Sequence, residues 1–240
     1  MRPVKTALAV VEDTPALRDE LIATARAMNA SGINVNKSGN VSVRCRRERR
    51  TGFLITPTGV PYDTLTAPDL VFIPLGQPGG DALPAGLVGT RKPSSEWRFH
   101  FDILRSRREF DAIVHTHSQA ATALACHHLG IPPFHYMVAV AGGADVRCAP
   151  YATFGTQVLS DNALAALRGR KACLLAHHGV IACERSLSRA LALAIEIENL
   201  AGMYLRARQI GEPPLLSAAE MARVIEKFAT YGQPAPSRSN

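Results

Sequence analysis

His115 and His117 stand one threonine apart at the end of the apolar run AIVHTH. In an extended strand residues i and i+2 project from the same face, with backbones about 6.5 Å apart. Two imidazoles placed this way can converge on one ion at about 2.0–2.1 Å each. On a mostly apolar strand the pair is costly unless the rings find partners, either a metal or ordinary hydrogen-bonding groups. A metal needs further ligands. His177 and His178 precede Gly179 in KACLLAHHGVIACE, at a turn between apolar arms. Adjacent residues of an extended chain point in opposite directions, so only one of the two can join the first pair. Turn polarity alone would also place histidines there. His100, His127 and His128 fall in helical stretches and read as surface or core hydrogen-bonding residues.

Three more stretches suit a charged ligand. In KPSSEWRF, Ser94 and Ser95 open a helix, with hydroxyls and free backbone N–H groups facing any anion. Glu96 follows on the same first turn. Its carboxylate can approach a metal or a substrate proton, or simply favour the helix dipole. SGNVS (Ser38 to Ser42) and TPTG (Thr56 to Gly59) are turns of small polar residues that can wrap a phosphate with N–H groups, or merely punctuate strands.

These groups need a scaffold. Thr14-Pro15 marks a helix start, followed by one apolar face of Leu17, Leu21, Ile22, Ala25 and Met28, with Gly32 closing it. NVSVR, FLITPTG, LVFIPL and AIVHTH read as strands, and KACLLAHHGVIACE as a hairpin. The basic run RCRRERR (Arg44 to Arg50) lies between two of these strands and is expected to be an exposed connection. Helices are expected over SSEWRFHFDILRSR, SQAATALACHH, Thr156 to Leu167, SLSRALALAIEIENLAGMYLRARQIG and SAAEMARVIEKFATYG. IPPFHYMVAVAG reads as a loop entering an apolar run, and Pro74 to Pro93 as a long Gly/Pro-rich surface loop. The pattern is mixed α and β in one domain over 1–240, with tails at 1–10 and 233–240.

The 240 residues, 47% of them hydrophobic, suffice for one full core. No apolar run approaches the ~20 residues of a membrane helix. The N-terminus is too short in apolar residues for a signal peptide. Five scattered cysteines without a CxxC pair suit reduced thiols in a cytoplasm. The net charge of +7 admits anionic partners. The basic run lacks aromatics for base stacking, so nucleic acid is not expected as a partner.

Taken in order, SGNVSVR, ITPTGVPYD, KPSSEWRFH, AIVHTHS, IPPFHYMVAVAGG, CAPYATFGT, LLAHHGVIACE and EKFATYG resemble the class II aldolase/adducin family across Ser38 to Gly232. The resemblance implies a single α/β domain with a central, mainly antiparallel β-sheet flanked by helices. It implies a homotetramer with active sites between subunits. The activity implied is zinc-dependent retro-aldol cleavage of a ketose 1-phosphate, of the L-fuculose 1-phosphate type, to dihydroxyacetone phosphate and an aldehyde. Zn2+ ligands would be His115, His117, His178 and a mobile Glu96, which would also be the catalytic acid/base; Co2+ or Mn2+ suit the same donors. Phosphate would lie against Gly39, Asn40, Thr58, Gly59, Ser94 and Ser95. Tyr136 would reach a neighbouring subunit's site and handle the aldehyde oxygen, while Phe154 and Tyr231 would line the aldehyde side.

Two features depart from the family pattern. Lys37 stands where a small polar residue is usual, and the Gly/Pro loop before Lys92 is longer. Both bear on the choice of sugar. Within the family the alternatives are 5-deoxyribulose or 5-methylthioribulose 1-phosphate aldolases, dehydratases of the latter substrate, and pentulose-phosphate 4-epimerases. The last typically carry aspartate at the position of Glu96. A non-catalytic, adducin-like interaction module is the reading from another class, and such modules lose metal ligands.

Overall fold

Strand interiors such as Phe53-Leu54-Ile55 and Cys173-Leu174-Leu175 alternate between two apolar layers, which places helices on both faces of one sheet. The computed structural model describes residues 10–77 and 82–230. The expected tails therefore lie outside the described residues, Val10 apart, and so does Tyr231.

Helix α1 (Pro15–Ala30) begins as expected: the Thr14 hydroxyl accepts from the Leu17 N–H at 3.2 Å, and Pro15 fills the first turn. A meander of β1 (Asn40–Arg47), β2 (Arg50–Ile55) and β3 (Val71–Pro74) follows. Next come α2 (Trp97–Ser106), β4 (Ala112–Thr116) and α3 (Gln119–Cys126). The second half holds β5 (Arg147–Ala149), α4 (Gln157–Ala166), the β6 (Ala172–Leu175) and β7 (Gly179–Glu184) hairpin, and the long α5 (Leu187–Ile210) and α6 (Ala218–Thr230). The strands form one sheet in the order β3-β2-β1-β4-β7-β6-β5. All neighbours pair antiparallel except β5 and β6.

One core joins α1, α3 and α5 to Val41, Val43, Leu54, Val114, Leu174 and Val180. The other joins α2 and α4 to Phe53, Ile55, Ile73, Ile113, Leu175 and Ile181. Period-two alternation thus feeds two separate apolar layers, except along β1, where Asn40, Ser42 and Arg44 make one side polar. Among the described residues, no helix is long and apolar enough to cross a membrane.

The basic run differs from the expectation. Arg44 to Arg47 belong to β1, and the turn itself is Glu48-Arg49, both in the left-handed region at φ 48° and 68°. Arg44 is buried. Its guanidinium donates to the Asp111 carboxylate at 2.8 Å and to the Leu104 and Phe110 carbonyls. Arg46 pairs with Glu12, and Arg47 with Asp13 at 2.7 Å. Acidic partners distant in sequence neutralise the run and let it continue a strand. IPPFHYMVAVAG also differs: Tyr136–Ala141 form 3-10 turns. Inside the long loop, Val88 pairs with Phe72 and Pro93 with Pro57, so its second half is held against β3 and the TPTG turn.

Helix α2 is fastened to α4 by a shared acceptor. The Asp102 carboxylate accepts from Arg98 Nε at 2.9 Å, Gln157 Nε2 at 3.0 Å and Ser160 Oγ at 2.7 Å. Asp102→Ala removes that acceptor from buried donors, and we expect a loss of about 3 kcal/mol in urea unfolding. A loss under about 1 kcal/mol would show that the network is not a stability element.

Candidate active site

The sheet brings two chain segments to one point. Strand β4 carries His115, and Thr116 fixes the exit: its hydroxyl donates to the Ile33 carbonyl at 2.8 Å and accepts from the Ser118 N–H at 3.0 Å. His117 follows on the same face as His115. Beside it, β7 pairs His115 with Ile181 and Thr116 with Val180, so the β6–β7 turn ends next to both rings. That turn must approach closely. A Cβ at Gly179 would meet the Thr116 carbonyl and stand 3.0 Å from the His117 ring, which excludes any other residue. His177 takes the left-handed φ of 54°, turning its ring away and His178 inward. The His178 ring centroid lies 4.9 Å from that of His115 and 4.8 Å from that of His117. His177 instead faces His128, with their Nε2 atoms 2.8 Å apart.

Glu96 occupies the N-cap position of α2, whose first residue is Trp97 rather than a serine. The Ser94 hydroxyl accepts from the Glu96 N–H at 3.2 Å, and the Glu96 carboxylate makes no capping hydrogen bond. Its Oε2 lies 3.0 Å from His115 Nε2 and its Oε1 3.0 Å from His178 Nε2. One ligand atom from each of Glu96, His115, His117 and His178 lies within 4.8 Å of the others.

This donor set fits a cation. His115 Nδ1 is 2.8 Å from the Val180 carbonyl, which can only accept, so that nitrogen carries the proton. In the neutral ring Nε2 then presents a lone pair to His117 Nε2 at 3.1 Å and to a carboxylate oxygen. Such a knot of acceptors is repulsive without positive charge at its centre. Protons are a poor remedy: burial, with His115 and His178 alongside, pushes His117 down to about 4. Burial also pushes the Glu96 carboxyl up, but positive charge on His115 and His178 outweighs it and holds it well below the usual carboxylate range. Three imidazole nitrogens and one carboxylate oxygen are a fitting donor set for a divalent metal, which His115, His117, His178 and Glu96 would hold.

A cavity of about 300 Å³ opens over these groups, lined by Ser38, Ser95, Glu96, His117, His178 and the rings of Tyr151 and Phe154. Phe154 is exposed at its rim. The expected phosphate residues gather on neighbouring loops. Ser94 N–H donates to the Thr56 carbonyl and Thr58 N–H to the Lys92 carbonyl, tying the serine turn to TPTG. Thr58, Gly59 and Ser95 are exposed, whereas Gly39 and Ser94 are buried. The Gly39 carbonyl accepts from the buried Tyr62 hydroxyl. The Asn40 carboxamide does not face outward to an anion: it donates to Glu96 Oε2 at 3.0 Å and contacts His100 at 2.5 Å. Tyr136 is half exposed and stacks on Phe228, away from this chain's cavity.

Three participants were not visible as site residues in sequence: Asn40's contact with Glu96, His100, and Tyr62 beneath the glycine turn. The one available signal was spacing, since Glu96 and His100 are four apart on a helix and Asn40 and Ser42 two apart on a strand.

The family described as "Class II Aldolase and Adducin N-terminal domain" matches residues 19–205. A 5-methylthioribulose-1-phosphate/5-deoxyribulose-1-phosphate aldolase of Rhodospirillum rubrum is 53% identical over 217 residues, 90% of this chain and 93% of that protein. The L-fuculose phosphate aldolase of Escherichia coli K12 is 48% identical over 90% of this chain and 95% of its own. A solved L-fuculose 1-phosphate aldolase superposes with a TM-score of 0.82 at 37% identity, covering 90% of this chain and 97% of that one.

Proposed function

Since this chain belongs to the class II aldolase and adducin family, whose aldolases are metal-dependent lyases, we propose that it cleaves a ketose 1-phosphate between C3 and C4. The products are dihydroxyacetone phosphate and an aldehyde. The observation that carries the reading is the convergence of His115, His117, His178 and Glu96 at the floor of an open cavity. An adducin-like module without catalysis has no use for four intact ligand groups.

A divalent cation held by His115, His117, His178 and Glu96 would supply an electron sink beside the substrate ketone. The remaining work falls to side chains. The phosphate is held at the Gly39-Asn40, Thr58-Gly59 and Ser94-Ser95 turns by hydroxyls and by those N–H groups not paired within the chain, which fixes C3 near Glu96. Glu96, turned off the histidines, takes a proton from solvent and delivers it to C3 after cleavage, and in the aldol direction removes it. As C3–C4 breaks, the partner subunit's Tyr136 accepts the 4-hydroxyl proton and releases its own phenolic proton to solvent. The tetramer this requires is supported by the exposure of Tyr136, Tyr151, Phe154 and Val158, large apolar side chains that neighbouring copies would cover.

For the aldehyde half, the rings of Tyr151 and Phe154 favour a short apolar tail over a hydroxylated one. With the 53% relative named above, this makes 5-methylthioribulose and 5-deoxyribulose 1-phosphates the preferred substrates. L-Fuculose 1-phosphate is the second reading, supported by the TM-score of 0.82 to a solved aldolase of that sugar. A cleavage panel of these sugars and ribulose 1-phosphate, reading dihydroxyacetone phosphate, tests both. We expect kcat/KM roughly tenfold higher for the 5-methylthio or 5-deoxy compound than for L-fuculose 1-phosphate. Preference for the latter reverses the order, and no release from any of them removes the aldolase reading.

Lys37 belongs to this site. Its ammonium donates to the Gly59 carbonyl at 3.0 Å, bridging the two glycine turns. An ammonium about 4 Å from a phosphate charge in solvent is worth about 1 kcal/mol. Lys37→Thr should therefore raise KM roughly fivefold with kcat unchanged. An unchanged KM would place the lysine in solvent only.

A further inference from the structure

We propose that His100 is a positioning residue for Glu96, a buried imidazole that fixes which end of the Asn40 carboxamide faces the carboxylate. The inference rests on the aldolase reading for its kinetic consequence, though not for its geometry.

Strand β1 turns a polar stripe, Asn40, Ser42 and Arg44, toward α2. On the helix side the partners are Glu96, His100 and the Leu104 carbonyl, spaced by four. Two strand residues advance about 6.6 Å and four helical residues about 6.0 Å, so the two series stay in step. His100 bridges two rungs. Its Nδ1 is 2.7 Å from Ser42 Oγ and its Nε2 2.5 Å from Asn40 Oδ1.

Proton placement follows from the Glu96 end. An ionised carboxylate only accepts, so the Asn40 NH₂ must face Glu96 Oε2. Asn40 Oδ1 then faces His100 Nε2, which must carry a proton. Burial, with His115 nearby, pushes His100 down to about 3, so the ring is neutral and Nδ1 is an acceptor. The Ser42 hydroxyl therefore donates to it. Every donor in the series Ser42, His100, Asn40 points toward Glu96, and none of these side chains has solvent access for an alternative. A flipped Asn40 would set its carbonyl against the carboxylate. His100 prevents the flip, so Glu96 can leave the histidines during turnover and return to the same donor.

The test compares His100→Gln, which can still offer an N–H to Asn40 Oδ1, with His100→Met, similar in length but without a donor. We expect kcat roughly 10–100-fold lower in the methionine variant, with KM within about twofold, and most turnover recovered by glutamine. Independently of turnover, the visible spectrum of the Co2+-loaded protein should change in His100→Met and resemble wild type in His100→Gln. Wild-type kcat and spectrum in His100→Met, or equal losses in both variants, would overturn the proposal. Should the wild type cleave no ketose 1-phosphate, the aldolase reading fails, and the cobalt spectra still decide the role of His100.

Discussion

Glu96→Gln is expected to lower turnover by roughly 10²–10⁴-fold, the range that a positioned acid or base contributes. The substitution is nearly isosteric. The Asn40 amide can donate to a glutamine oxygen as it does to Glu96 Oε2 at 3.0 Å. The fold around α2 is thus untouched, and the phosphate turns are not altered. What disappears is a charge that His115 and His178 hold ionised, and a group basic enough to exchange a proton at C3. KM should move little, because the carboxylate acts on the reacting carbon and not on the phosphate. Turnover within about threefold of wild type would remove Glu96 from the chemistry and leave it a structural partner of the histidines.

The second large effect separates two adjacent histidines. His178→Ala should weaken zinc binding at least 100-fold, beyond the 10–100-fold attached to outer partners of ligands. His177→Ala should change it by less than about tenfold on the same scale. The geometry is the reason. His178 Nε2 is 3.0 Å from Glu96 Oε1 within the cluster, whereas His177 Nε2 meets His128 on the surface. Competition with a chromophoric chelator measures both constants. Equal losses would mean that the turn reorganises around the ion.

Much of the architecture was legible because it rests on local rules. The Thr14-Pro15 cap, the period-two strands and the HTH pair follow from short-range stereochemistry, and each lies where expected. Which of His177 and His178 faces inward was not legible. It depends on a left-handed φ at a non-glycine residue, which no pattern announces. The basic run misled for a different reason. Its hydrophilicity suggested a loop, but Glu12, Asp13 and Asp111 supply the counter-charges, and Asp111 lies 67 residues from Arg44. Asn40 is the most instructive case. In sequence it belongs to a phosphate-type turn, while in the fold its carboxamide is turned inward by His100, 60 positions away. Pairings at such separation are set by the register between β1 and α2, a tertiary property. The resemblance supplied the expected roles, and tertiary contacts decide how each side chain is held.

All of these effects depend on a cation at the centre of the four groups. The most direct measurement strips metal from the purified chain with a chelator and adds Zn2+ back in steps, following dihydroxyacetone phosphate released from 5-methylthioribulose 1-phosphate. Cleavage should fall by at least 100-fold on stripping and return fully at about one equivalent per chain. A stripped chain that cleaves at the original rate would contradict the account.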